Sequence, residues 1–241
     1  ISCNGGSNGT ITATPAGGTS PYTYQWYTGS GTTSAISGQT ANLISGLTAG
    51  TYTVKVIDGN GCITTTTSTL TQPSIGLIAT ITSTTDVSCN GLSDGSTGVN
   101  AIFGTAPYTY AWTGPGTFTA TTATISNLAA STTPYSVTVT DVNGCTATTS
   151  ATVVQPAALT ITNSNVQVLC NGNANGSINA TVAGGTTPYA SYAWTKNGSS
   201  FATTEDITGL TIGSYVLTVV DNNGCSTTSS AIVINQPPLL S

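Results

Sequence analysis

Three blocks of residues recur three times in the same order, so any fold for this chain must give each copy an equivalent setting. In the first copy they read Cys3-Asn4-Gly5, then Pro21-Tyr22-Thr23-Tyr24-Gln25-Trp26, then Tyr52 through Asp58, Asn60 and Gly61 to Cys62. The second copy has Cys89-Asn90-Gly91, Pro107 to Trp112, and Tyr135 through Asp141, Asn143 and Gly144 to Cys145. The third has Cys170-Asn171-Gly172, Pro188 to Trp194, and Tyr215 through Asp221, Asn223 and Gly224 to Cys225. The first cysteines step by 86 and 81 residues, and the closing Gln-Pro pairs by 83 and 81. Self-similarity at this period divides the 241 residues into three units, 1–74, 75–157 and 158–241. Units of this size suit a small β-sandwich.

Within each unit the hydrophobic period is two. Tyr22, Tyr24 and Trp26 alternate, as do Tyr52, Val54 and Val56, so each set lies on one face of a strand. Trp26, Trp112 and Trp194, with Tyr52, Tyr135 and Tyr215, are the predicted core aromatics. A tryptophan in a mid-sandwich strand is a core residue in immunoglobulin-type domains, where it packs against a disulfide between the sheets. The competing reading of Tyr22, Tyr24 and Trp26 is a stacking platform for sugar rings.

Asp58-Gly59-Asn60-Gly61 is a hairpin signal between two strands, repeated at Asp141, Asn143 and Gly144 and at Asp221, Asn223 and Gly224. A calcium loop is the functional alternative at these tips. Calcium takes six to eight oxygens, several of them from carboxylates, whereas each tip offers one carboxylate. An Asx-stabilised turn is therefore the expectation, with no cofactor or metal.

The six cysteines fall one pair per unit, spaced 59, 56 and 55 residues apart. There is no Cys-x-x-Cys and no histidine, so disulfides rather than zinc are predicted, linking Cys3 to Cys62, Cys89 to Cys145 and Cys170 to Cys225. Disulfides persist in oxidising compartments, which predicts an exported chain. The opening on Ile1 fits mature processing or excision from a longer polypeptide.

Two lysines stand against seven acidic residues, for a net charge of −5, and there is no arginine. Nucleic acid is excluded as a partner for want of a basic footprint. No apolar run approaches the length of a membrane span, so direct membrane insertion is not expected. An enzyme is not expected either, because the chain lacks a histidine base and an arginine clamp. Its one adjacent acidic pair, Glu205-Asp206, is expected on a strand, where the two side chains point to opposite faces.

Gln72-Pro73 and Gln155-Pro156 lead by short linkers into the first strands of the following units. The first copy begins at Cys3 without such a strand, while Gln236-Pro237-Pro238-Leu239-Leu240-Ser241 opens a fourth. A window cut from a longer array explains this phase, and strand donation by a neighbouring copy is the alternative. In the third copy Pro188 to Trp194 holds one extra residue, for which a bulge between Tyr189 and Tyr192 is predicted.

Cys-Asn-Gly, the Gly-Gly-Thr-x-Pro-Tyr of 17–22, the Leu-x-x-Gly-x-Tyr of 47–52 and 210–215, Asp-x-Asn-Gly-Cys and the closing Gln-Pro together resemble the SprB repeat family. The second copy departs from the pattern at Phe103-Gly104 and at Ser131 to Pro134. The resemblance implies a secreted cell-surface protein of Bacteroidota exported by the type IX route, in which the repeats form a stalk or filament for adhesion or gliding motility. The combined expectation is an all-β chain of three tandem immunoglobulin-like β-sandwich repeats, one disulfide each, arranged as a rod. Expected partners are neighbouring repeats, copies of itself in a filament, or a surface polysaccharide. A self-assembling subunit of a filament or surface layer and an array of carbohydrate-binding modules are the rival readings.

Overall fold

The computed structural model describes residues 1–240; Ser241, the last residue of the third predicted unit, lies outside the described residues. Those residues form twenty strands and no helix. The first unit contains β1 (Gly9–Thr12), β2 (Thr23–Thr28), β3 (Leu43–Leu47), β4 (Gly50–Ile57) and β5 (Ile63–Leu70). The second contains β6 (Ile78–Thr85), β7 (Gly95–Ile102), β8 (Thr109–Thr113), β9 (Thr119–Ala120), β10 (Thr124–Leu128), β11 (Tyr135–Thr140) and β12 (Thr146–Ala151). The third contains β13 (Thr160–Val166), β14 (Gly176–Ala183), β15 (Ser191–Lys196), β16 (Ser199–Ala202), β17 (Ile207–Leu210), β18 (Gly213–Val220), β19 (Ser226–Thr228) and β20 (Ile232–Ile234).

All pairing is antiparallel, and each unit divides its strands between two sheets. In the second unit these are β10-β7-β6 and β12-β11-β8-β9. The third repeats the pattern as β13-β14-β17 and β16-β15-β18-β19, with β20 also paired to β18. The first has β1-β3 and β2-β4-β5, and so lacks the leading strand that β6 and β13 supply in its siblings. In the second and third units, the unit's first, second and fifth strands in one sheet against its third, fourth, sixth and seventh in the other is the immunoglobulin-like sandwich order.

Each sandwich closes on its own core. The tyrosine-led strands β11 and β18 bury alternate residues, Tyr135, Val137 and Val139 in one and Tyr215, Leu217 and Val219 in the other, as a sheet packed on one face requires. Trp26, Trp112 and Trp194 are each only 1% exposed, one per core. Their indole N–H groups donate to the carbonyls of Ala41, Thr122 and Thr204, which removes the cost of burying an unpaired donor. Tyr135 opens its strand and Tyr52 and Tyr215 stand third in theirs, and their hydroxyls donate back to Ala129 O, Thr48 O and Thr211 O. This tyrosine corner pins the turn entering the strand.

Two local expectations need correction, while the extra residue of the third copy stands at Ala190, between Tyr189 and Tyr192; its N–H donates to Val220 O, which Ser191 also faces, and β15 pairs with β18 in unbroken register from Ser191 on. Glu205 and Asp206 stand in a bend rather than on a strand; Asp206 accepts from the Ala180 amide and the Asn179 side chain. The tryptophans do not pack on disulfides, because the disulfides lie elsewhere.

Candidate functional site: the junctions between units

Cysteine pairing departs from the one-bond-per-unit expectation. Cys3 bonds to Cys145 and Cys89 to Cys225, with Cα atoms 5.5 and 5.6 Å apart, and Cys62 and Cys170 are exposed thiols. The predicted links of Cys3 to Cys62, Cys89 to Cys145 and Cys170 to Cys225 do not form. The cause is the position of the two cysteine blocks in the sandwich. Cys-Asn-Gly precedes the strand that begins at Gly9, and the hairpin tip abuts the Gly17-Gly18-Thr19 turn beyond that strand's far end, where Gly59 N–H donates to Thr19 O. At about 3.3 Å per residue that separation is on the order of 25 Å. A disulfide spans no more than about 7 Å between Cα atoms. The Cys-Asn-Gly loops of the first and second units therefore meet the hairpin tip of the following unit, not their own.

The hairpin tips are built alike. Asp58 Oδ1 accepts the amides of Asn60 and Cys62, and Oδ2 accepts that of Thr19. Asp141 and Asp221 repeat this on Asn143, Cys145 and Thr105, and on Asn223, Cys225 and Thr186. Both oxygens of each carboxylate thus face N–H donors, the arrangement of an Asx turn. The amide of Thr19 leads in holding the Asp58 carboxyl below its ordinary value, and the amide of Thr105 does the same for Asp141. For Asp221, 0% exposed, burial pushes the pKa up but is outweighed by amide donation from Thr186, Cys225 and Asn223. No group of three or more potential metal-ligating His, Cys, Asp or Glu side chains occurs among the described residues.

The opposite pole is closed by a clasp between the Cys-Asn-Gly and Gln-Pro blocks. Asn4 donates its side-chain amide to Pro73 O, and Gly5 N–H donates to Gln72 Oε1. Asn90 and Gly91 hold Pro156 and Gln155 in the same way, and Asn171 and Gly172 hold Pro237 and Gln236. Cys-Asn-Gly and Gln-Pro recur together because they bind each other. That co-recurrence was the available signal.

Loop and linker together seat the next unit. In the second junction Gly185 N–H donates to Ala157 O, and Asn223 donates its side-chain amide to Ser88 O at 3.0 Å. A Cβ added at Gly184 would stand 2.0 Å from Ala158 O, so this turn admits only glycine where the linker crosses it. Leu77 lies over Gly104, and Leu159 over Gly185. Tyr22 and Tyr24, offered above as a sugar platform, are half-buried against the first core, and the Tyr22 hydroxyl donates to Gly17 O.

A family model, the SprB repeat, matches residues 1–31, 81–117 and 162–199. Each unit holds one stretch similar to the SprB repeat. Each match begins before a Cys-Asn-Gly block and runs through the tryptophan strand. SprB repeats are a cell-surface module, and disulfides between the units fit an extracellular protein. No helix among the described residues is long and apolar enough to cross a membrane. No curated protein matches the chain. Among solved structures it is similar to the three N-terminal domains of the highly immunogenic outer capsid protein (Hoc) of bacteriophage RB49. That likeness has 16% identity over 97% of this chain and 95% of the other, with a TM-score of 0.43. It is also similar to the N-terminal eight Ig domains of Down syndrome cell adhesion molecule, at 16% identity over 92% of this chain and 33% of that one, TM-score 0.36. A third likeness is to extracellular domains 3–5 of Drosophila OTK, at 11% identity over 95% and 92%, TM-score 0.29. Likenesses at these scores carry no functional argument, and the sandwich order rests on the strand pairing.

Proposed function

We propose that these SprB repeats form a stretch of stalk or filament in a large bacterial cell-surface protein serving adhesion or gliding motility. The observation that carries this reading is the bonding of consecutive units by a disulfide from the Cys-Asn-Gly loop of one to the hairpin tip of the next. A bond inside each sandwich would stabilise separate beads. A bond across each junction instead holds neighbours together under load, which is what a spacer exposed to shear needs. The small charge complement, two lysines and seven acidic residues with no histidine or arginine, agrees with a role in extension.

The test is immunogold electron microscopy of intact producing cells with antibody raised against this chain. Label along thin filaments projecting from the surface is expected. Label that appears only after cell lysis would overturn the proposal.

A further inference from the structure

Two of the six cysteines are unbonded, and they are complementary. Cys62 occupies the hairpin-tip position at which Cys145 and Cys225 are bonded, and Cys170 occupies the Cys-Asn-Gly position at which Cys3 and Cys89 are bonded. The surface around Cys62 is also incomplete in the way a missing neighbour would leave it. Gly17, Gly18, Tyr22, Val56, Asp58 and Cys62 line an open cavity of about 210 Å³. The equivalent turns are covered: Leu77 lies on Gly104, and Leu159 with the Ala158 carbonyl lies on Gly184 and Gly185. By contrast, a Cβ on Gly17 would meet nothing within 4 Å, and one on Gly18 would meet only Asp58. At the other end Leu240 stands at the same spacing from Gln236 as Leu159 does from Gln155, and it is 98% exposed.

We infer that a second copy of this chain docks head to tail, its Cys170 closing a disulfide with Cys62 while its Leu240 fills the cavity over Gly18. The junction so formed reproduces the two already inside the chain. Its oxidant is a small disulfide such as glutathione disulfide. The Cys62 thiolate displaces one glutathione thiol and forms a mixed disulfide. The Cys170 thiolate of the second copy then attacks the Cys62 sulfur and releases the other glutathione thiol. Two protein thiols each lose a proton and are oxidised to one disulfide, and one small disulfide is reduced to two thiols.

The experiment incubates the full chain in a glutathione redox buffer and runs it on a non-reducing gel. A ladder at multiples of 23.9 kDa is expected, with peptide mapping placing the new link between 62 and 170. Cys62→Ser and Cys170→Ser variants should each remain monomeric alone, and mixed together they should give a dimer and nothing larger. Dimers in either single variant, links of 62 to 62 or 170 to 170, or a chain that stays monomeric would overturn the inference. Leu240→Asp should slow coupling by about tenfold, the loss of one buried leucine contact; an unchanged rate would overturn the leucine seat. The inference rests on reading the chain as part of a bonded series, and the same peptide map separates the two failures. Links of 3 to 145 and 89 to 225 without a ladder sink only the pairing of copies, whereas absence of those links sinks both.

Discussion

At the residue scale, the aspartates of the hairpin tips do the most for the least area. Asp58, Asp141 and Asp221 each gather three amides with one carboxylate, so each turn is held closed by its own backbone donors. Their pKa values are lowered in the folded chain. The unfolded chain, with carboxyls titrating at about 3.9, therefore binds protons that the folded chain does not, and stability rises with pH through that range. The contribution is fully present above the unfolded value and is lost as pH falls through the lower folded values. Melting temperature should hold steady down to about pH 5 and then fall progressively with acidification, and Asp141→Asn should reduce that slope. A melting temperature that does not change on acidification would count against the carboxylate turns.

At the scale of elements, the tyrosine-led strands were legible because alternation is a local property. Tyr135, Val137 and Val139 read as one buried face whatever lies beyond the unit, and so do Tyr215, Leu217 and Val219. The cysteine partners were not legible in the same way. Pairing within units and pairing between units leave the same period of about 80 residues in the sequence. What decides between them is the length of a strand, which puts the loop and the tip of one unit at opposite poles. The Asn-Gly and Gln-Pro clasp escaped for another reason, since its residue types are those that punctuate any loop. It is testable at one side chain. Gln155→Ala deprives the Gly91 amide of its acceptor at 2.8 Å. The cost should be about 0.5 kcal/mol, the low end for a single hydrogen bond at an exposed site. Hydrogen exchange at Gly91 should quicken while the Cys89 to Cys225 bond still maps; unchanged protection at Gly91 would exclude the clasp.

At the scale of the molecule, the two disulfides interleave, because Cys89 precedes Cys145 in the chain while their partners lie outside that interval on either side. A pull between Cys3 and Cys225 then has a shortcut. It crosses from Cys3 to Cys145, runs backward along the 56 residues to Cys89, and crosses again to Cys225. At about 3.5 Å per residue that path goes taut near 20 nm, against about 78 nm for the reduced chain. Single-molecule stretching between those two positions should show both limits, the longer one only after reductant is added; a limit near the longer value before reduction would exclude the interleaved bonds. The middle unit alone lies on the taut path, so the bonds act as a stop on the tether, and the outer sandwiches can unfold and refold without setting its reach.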